Sequence, residues 1–245
     1  MNKMQTFVRI VHRSENLSQL WATALDRFHA LGIERVSFHS GDKLVPGSGR
    51  VSLMQDGYPE AWVCEYVERR LSQVNPIPDL AVQLARPFLW SNAESLGTLS
   101  TAQREFLSKL AARGIGDGLA IPVFGPNMRT GTFGLGFGGN ATISDPAEIF
   151  QLQCAAQVVH LRYCELTRTT TDETDSLSPR EREVLRWLAR GKSNTVIAEI
   201  MGVSRHTVDT MTRRVFEKLN VNDRTTAAIK GLGAGLLQYH GDIAV

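Results

Sequence analysis

Between Thr167 and Ser176 the chain runs ten residues without one apolar side chain, using only Thr, Arg, Asp, Glu and Ser. Such a stretch has nothing to bury, so it reads as an interdomain linker. It cuts the 245 residues into a first domain, 1–166, and a second, 177–245, joined by residues 167–176. The two halves also differ in charge. From Ser176 onward there are 11 Lys and Arg against 7 Asp and Glu, a net of +4, whereas Met1–Asp175 carries 16 against 18, a net of −2. A small basic module attached to a larger, nearly neutral one suggests a nucleic-acid partner for the second domain.

Several classes are excluded. Hydrophobic residues make up 42% and charged residues 21%, which is a globular composition and not a disordered one. No apolar run approaches the ~20 residues of a membrane span, and the N-terminus has no hydrophobic signal core, so no membrane role is expected. The three cysteines, Cys64, Cys154 and Cys164, contain no C-x-x-C pair. That argues against a disulfide framework or a metal site and suits a reducing cytoplasm.

In the first domain, Leu17, Leu20, Trp21, Ala24, Leu25, Phe28 and Leu31 recur at helical spacing and stop at Gly32. Short alternating runs around Val36–Phe38 and Val51–Leu53 read as strands, separated by the turn-rich Pro46–Gly49. Pro59 opens a helix with Trp62, Val63, Tyr66 and Val67 on one face, and a short helix is expected from Asp79 to Ala85. Ser100 and Gln103 have capping-box spacing, and Gly114 ends the helix they open. Strands at Gly118–Phe124 and Gly131–Phe137 precede a long apolar helix from Pro146 to about Thr167. This order predicts an α+β chain, with an α/β/α sandwich around an antiparallel sheet as its first domain.

The second domain reads as a small all-α unit. Ser178, Pro179 and Glu181 form an N-terminal capping pattern, followed by Val184, Leu185 and Leu188. A second helix, Asn194–Met201, carries Val196, Ile197, Ile200 and Met201 inward. After Gly202-Val203, Ser204 caps a third helix with Val208, Met211, Val215 and Leu219 buried. His206, Thr210 and Arg213 lie opposite that stripe. A fourth helix near Arg224–Leu237 braces the group through Ala228, Ile229, Leu232 and Leu236. Helix, glycine turn and capped helix make a helix-turn-helix, although spacing alone equally fits a small bundle with a solvated polar face.

The residues themselves are more specific. Leu177-Ser178-x-Arg180-Glu181-x-Glu183-Val184-Leu185, Gly191-Lys192-Ser193, Ile197-Ala198, Val203-Ser204-x-x-Thr207-Val208, Lys218-Leu219 and Arg224-Thr225 resemble the LuxR-type helix-turn-helix. Three positions depart from it: Val196 where Glu is usual, Met211 where His is common, and Asp209 where Lys, Arg or Glu is more frequent. The resemblance implies double-stranded DNA with a two-fold operator as one partner and RNA polymerase as another. By type and position, Arg213 is expected to reach a base edge, and Lys192, Arg205, Arg214 and Lys218 to meet phosphates. Ser204, His206, Thr207 and Thr210 complete the expected DNA-facing set.

The first domain has no acidic cluster and phosphoacceptor pattern of a receiver. Tyr58-Pro59-x-x-Trp62-x-x-x-Tyr66, Asn75-Pro76-Ile77, Pro87-Phe88-x-Trp90 and Gly114-Ile115-x-x-Gly118 instead resemble the autoinducer-binding domain of quorum-sensing LuxR-type regulators. The resemblance implies an enclosed N-acyl-homoserine lactone, with no other cofactor. Trp62 would donate to the lactone carbonyl and Tyr58 to the amide carbonyl. Trp90 would pack on the lactone, with Tyr66 and Phe88 lining the chamber. Asn75 stands where the family has an Asp that accepts from the ligand amide N–H. On residue type alone, Trp62 and Trp90 read as core aromatics.

The function expected is a ligand-responsive, homodimeric transcriptional regulator. Part of the Pro146–Thr167 helix is assigned to the dimer interface, since Ile149, Phe150, Leu152, Val158, Val159, Leu161 and Leu166 exceed what one sheet face needs. Two alternatives stand beside it: a regulator that folds without ligand, and an enzyme with a DNA-binding appendage, whose reactive groups would be Cys64, Cys154, His160 and Cys164.

Overall fold

The computed structural model describes residues 3–40, 53–138, 143–167 and 177–237. They fall into two compact units, the first built by residues up to Thr167 and the second mainly by residues after it.

In the first unit the elements run α1 (Lys3–Arg13), α2 (Leu17–His29), β1 (Arg35–Ser40), β2 (Leu53–Asp56), α3 (Glu60–Glu68), α4 (Ile77–Leu84), β3 (Phe88–Leu89), α5 (Ala93–Leu96), α6 (Thr101–Ala112), β4 (Gly118–Phe124), β5 (Thr130–Gly136) and α7 (Pro146–Leu166). The strands form one antiparallel sheet in the order β2-β1-β5-β4-β3. Strand alternation gives this sheet two chemically different faces. Val36 lies beside Leu135 and Leu135 beside Leu119, and these join Phe38, Ile121 and Phe133 in a core with α1, α2 and α7. Ser37 lies beside Gly134 and Gly134 beside Ala120, on the face covered by α3 to α6. The α/β/α layering expected from the element order is therefore present.

Local chemistry explains the helix ends. Asn16 accepts from the backbone N–H of Gln19 to start α2, and Ser100 and Gln103 close a reciprocal capping box on α6. Three elements, α1, β3 and the single-turn α5, escaped the sequence reading. Helix α1 buries only Phe7 and Val11 among charged and polar neighbours. Strand β3 is two residues long, too short for any period to show. On α3, Val67 is 63% exposed and so does not share the buried face of Trp62 and Tyr66. Helix α4 starts at Ile77 and not Asp79, because the Asn75 side-chain oxygen accepts the Ile77 N–H and turns the chain there. Val51 and the Pro46–Gly49 stretch lie outside the described residues.

The second unit contains α8 (Pro179–Ala189), α9 (Asn194–Met201), α10 (Arg205–Leu219) and α11 (Arg224–Gly233). Val184, Leu188, Ile197, Ala198, Met201 and Val208 pack around the α9–α10 turn, where Gly202 supplies the left-handed backbone at φ +64. Val196 and Ile200 are exposed, so α9 buries Ala198 where the sequence reading had placed those two. Helix α11 turns Ala227 and Gly231 inward and leaves Ile229 and Leu232 exposed. Its close approach depends on Gly231, where a Cβ would lie 2.9 Å from Leu185. Packing of backbone against Leu185, invisible to an apolar-period count, rotates the buried face away from the one expected.

One charged pair lies inside this unit. Glu181 is 4% exposed, accepts from the Ser178 N–H at 2.7 Å and is bridged by Lys218 Nζ at 2.7 Å. Burial pulls the Glu181 carboxyl up, but the bonds from Lys218 and Ser178 outweigh it and hold its pKa below the ordinary carboxylate value. Stability from a depressed carboxyl is fully present above its unfolded pKa and is lost as pH falls through the folded one. Lys218→Met should cost the C-terminal unit about 1 kcal/mol, discounted because Lys218 is partly exposed. Calorimetry should show this difference near neutral pH and show it shrinking in acid.

Candidate functional site

The Ser37 face of the sheet is not completely filled. A cavity there is lined by Ser37 and His39 of β1, Leu53 and Gln55 of β2, Tyr58, Trp62, Val63, Tyr66, Asn75, Ile77, Pro78, Trp90, Phe106, Leu110, Thr132 and Gly134. Five of the six expected ligand residues, Tyr58, Trp62, Tyr66, Asn75 and Trp90, are among them. The sixth, Phe88, is a correction. It pairs with Ala120 in the sheet and is buried in the surrounding core, outside the cavity wall.

Trp90 owes its place to backbone. Its ring lies over β4 and β5 at glycines: a Cβ on Gly118 would come within 2.6 Å of the indole, one on Gly134 within 3.2 Å and one on Gly136 within 3.3 Å. The Asp117 carboxylate holds the adjoining turn by accepting from Ser91 N at 3.0 Å and Ser91 Oγ at 2.6 Å. Trp62, Tyr66 and Phe106 pack as an aromatic cluster with ring centroids 5.9–6.2 Å apart.

The polar atoms are arranged in two corners. In one, Tyr58 donates to Ser37 Oγ at 3.4 Å, and burial pushes the Tyr58 hydroxyl up to about 12, so it stays neutral. Gln55 lies across from Ser37 in the β1–β2 register. In the other, Asn75 Nδ2 donates to the Tyr66 hydroxyl at 3.1 Å. Thr132 Oγ1 donates to the Pro78 carbonyl at 3.3 Å. Two cavity-lining residues hold buried polar atoms with no hydrogen-bond partner: Trp90 Nε1, a donor, and Gln55 Oε1, an acceptor. Such atoms are costly to leave unpaired. The sequence reading missed Ser37, His39, Gln55 and Thr132. Strand alternation would have found the first three, since each alternates with neighbours that face the opposite side.

In the second unit, His206, Arg213 and Arg214 are exposed on α10, and Lys192 is exposed just before α9. Ser204 Oγ caps α10 by accepting from Thr207 N at 3.1 Å, and Thr210 Oγ1 donates back to the His206 carbonyl at 3.0 Å. Arg205 approaches Asp209 at 3.9 Å, and Asp209 accepts from Asn194 Nδ2 at 2.7 Å, tying α10 to α9. The Lys218 ammonium is engaged by Glu181 within the unit while its side chain stays partly exposed. Of the residues weighed for enzyme chemistry, Cys64 is exposed and Cys154 half-buried. Cys164 Sγ lies 3.5 Å from His160 Nε2, both deep in the α7 core. Among the described residues no three His, Cys, Asp or Glu side chains gather as a metal site, and no helix is long and apolar enough to cross a membrane.

This pairing of a sheet-backed cavity with a helix-turn-helix is that of a known class of regulator. Residues 16–163 match the family model of the autoinducer binding domain, and residues 175–230 match that of the luxR family of bacterial regulatory proteins. The chain belongs to the LuxR-type transcriptional regulators with an autoinducer-binding domain. It is 28% identical over 185 residues to the HTH-type quorum sensing-dependent transcriptional regulator RpaR of Rhodopseudomonas palustris, covering 76% of this chain and 75% of that one. It is 30% identical over 179 residues to the transcriptional activator protein TraR of Agrobacterium vitis, covering 71% and 76%. Its fold is similar to crystalline SdiA of Escherichia coli, with a TM-score of 0.74, 20% identity, and 96% and 97% of the two chains covered.

The glycine lane makes a direct test. Gly118→Ala should displace the Trp90 ring and cost about 1–3 kcal/mol in thermal or denaturant melts. Gln55→Leu should behave oppositely. It removes an unpaired buried acceptor, so the ligand-free protein should melt at the same or a higher temperature while losing affinity for a cavity ligand, read by titration calorimetry.

Proposed function

We propose that residues 1–166 enclose a small acylated signal of the N-acyl-homoserine lactone class or a near relative, and that residues 177–245 bind a two-fold operator in double-stranded DNA. Residues 167–176 link the two, and the chain works as a cytoplasmic homodimer that engages RNA polymerase. The observation that carries this reading is the pair of unsatisfied atoms, Trp90 Nε1 and Gln55 Oε1, on a mostly apolar cavity. A ligand with a polar head and an apolar tail supplies what both the polar corners and the wall require. One relative in fold, SdiA, has been solved in complex with octanoyl-rac-glycerol (TM-score 0.72, 20% identity, 98% and 99% of the two chains covered).

The dimer reading is supported by α7. Phe150 is 65% exposed and Leu161 42% exposed, about three turns apart on one face of the helix. A single helix-turn-helix reads few base pairs, so a two-fold partner is the natural way to lengthen the site. The wild-type chain should sediment as a dimer at micromolar concentration with ligand present, and Phe150→Asp should shift it to monomer. A wild-type monomer under those conditions would sink the dimer.

On DNA, Arg213→Ala should cost about 1–3 kcal/mol at the operator and narrow the gap between operator and random sequence. The ligand reading is tested by titrating the full chain with acyl-homoserine lactones of graded chain length. Binding should raise the melting temperature by mass action. No shift with any acyl lactone or acyl ester would overturn it.

A further inference from the structure

Two bonds fix the orientation of the Asn75 amide. Its Oδ1 accepts the backbone N–H of Ile77 at 3.0 Å, and its Nδ2 donates to the Tyr66 hydroxyl at 3.1 Å. The first determines the second, because a backbone N–H can only donate, so the amide oxygen must face Ile77 and the NH₂ must face Tyr66. A carboxylate at this position would offer its second oxygen to Tyr66, which would donate to it. With Asn the bond runs the other way. The Tyr66 oxygen accepts, and its own proton is left to point elsewhere. The second N–H of Asn75 is likewise left over.

Both residues line the cavity. Burial raises the Tyr66 pKa by more than the Asn75 bond lowers it, so the hydroxyl keeps its proton at neutral pH. The corner thus faces the cavity with hydrogens, while the Asn75 oxygen is turned to the backbone of α4. A ligand N–H brought here would meet donors and only the remaining lone pair of a Tyr66 oxygen already accepting from Asn75, whereas an oxygen would meet complementary groups. The acceptor left open, Gln55 Oε1, lies in the other corner, beside Ser37.

We propose that the ligand presents an oxygen, not an N–H, to the Asn75–Tyr66 corner, and that this cavity therefore prefers an O-acyl ester linkage to an N-acyl amide linkage. The proposal rests on the acyl-signal reading above, with the linkage lying against Asn75. It makes Asn75 and Tyr66 the residues that select the class of signal by linkage chemistry, separately from the acyl chain.

The probes are N-octanoyl-homoserine lactone and the octanoyl ester of the matching hydroxybutyrolactone, which differ only by N–H against O. Their dissociation constants are measured on the full-length wild type, Asn75→Asp and Tyr66→Phe, with ligand-free melting as the check on folding. Wild type should favour the ester on the order of tenfold, about one neutral hydrogen bond. Asn75→Asp keeps the bond to Ile77 and should reverse the preference toward the amide. Tyr66→Phe removes the hydroxyl donor together with the acceptor of the Asn75 N–H but leaves the Asn75 donors in place, so it should narrow the ratio without reversing it, which keeps the test open if the Asp variant does not fold. A wild-type preference for the amide, or a ratio unchanged in the folded variants, overturns the proposal while leaving the acyl-signal reading intact. Failure of both probes to bind wild type overturns the acyl-signal reading itself.

Discussion

The first unit depends on contact between one indole ring and bare backbone. Gly118, Gly134 and Gly136 leave a lane across β4 and β5 where Trp90 lies against the sheet, and Cβ atoms there would sit 2.6 to 3.3 Å from its ring. Glycines in strands cost backbone entropy and contribute no side-chain packing. Here the lost packing is replaced by a large aromatic that arrives from the β3 turn, held by Asp117 through Ser91. On the opposite face, Leu119, Phe133 and Leu135 fill the space against α2 and α7 with no such gap. The sheet is thus a packed wall on one side and a recessed floor on the other, and the cavity exists because of that asymmetry.

The two units use buried polarity in opposite ways. In the second, Glu181, the one buried carboxylate among the described residues, is engaged by Ser178 and Lys218, so the polar group joins α8 to α10. In the first, Trp90 Nε1 and Gln55 Oε1 are buried and unpaired. A cavity lined in this way is destabilising when empty and rewards a partner that brings matching groups, which couples ligand binding to the stability of the domain.

Much of this was legible in the sequence because the signals were local. Capping residues at Ser100, Ser178 and Ser204, the apolar spacing of α2, and the polar run after Thr167 each act within a few residues. The cavity aromatics were legible through motif spacing. What escaped depended on distant partners. Phe88 could be told from a wall residue only by its pairing with Ala120 across β3 and β4. The ion pair of Lys218 likewise escaped, because only the fold brings Glu181, 37 positions away, to within 2.7 Å. Helix α11 packs through Ala227 and Gly231 instead of its larger apolar residues, because close backbone approach to α8 outweighs side-chain size there. Ser37 and Gln55 were overlooked because polar residues in a strand are ordinarily read as facing solvent.

The departures from the family pattern gain a physical meaning once their surroundings are known. Val196 sits exposed on α9, so replacing the usual Glu removes a negative charge from the surface without opening a hole in the core. Asp209 looks misplaced on a helix meant to approach phosphates, yet its carboxylate is held by Asn194 and faces Arg205. Those contacts tie α10 to α9 and set a positive group beside the carboxylate. Asn75 is the departure without such compensation. Its amide keeps the structural bond to Ile77 that any carboxylate there would make, and changes only the group turned toward Tyr66. A substitution that keeps the fold's hydrogen bond and changes only the group turned toward Tyr66 alters the polarity of that cavity corner while leaving the start of α4 in place.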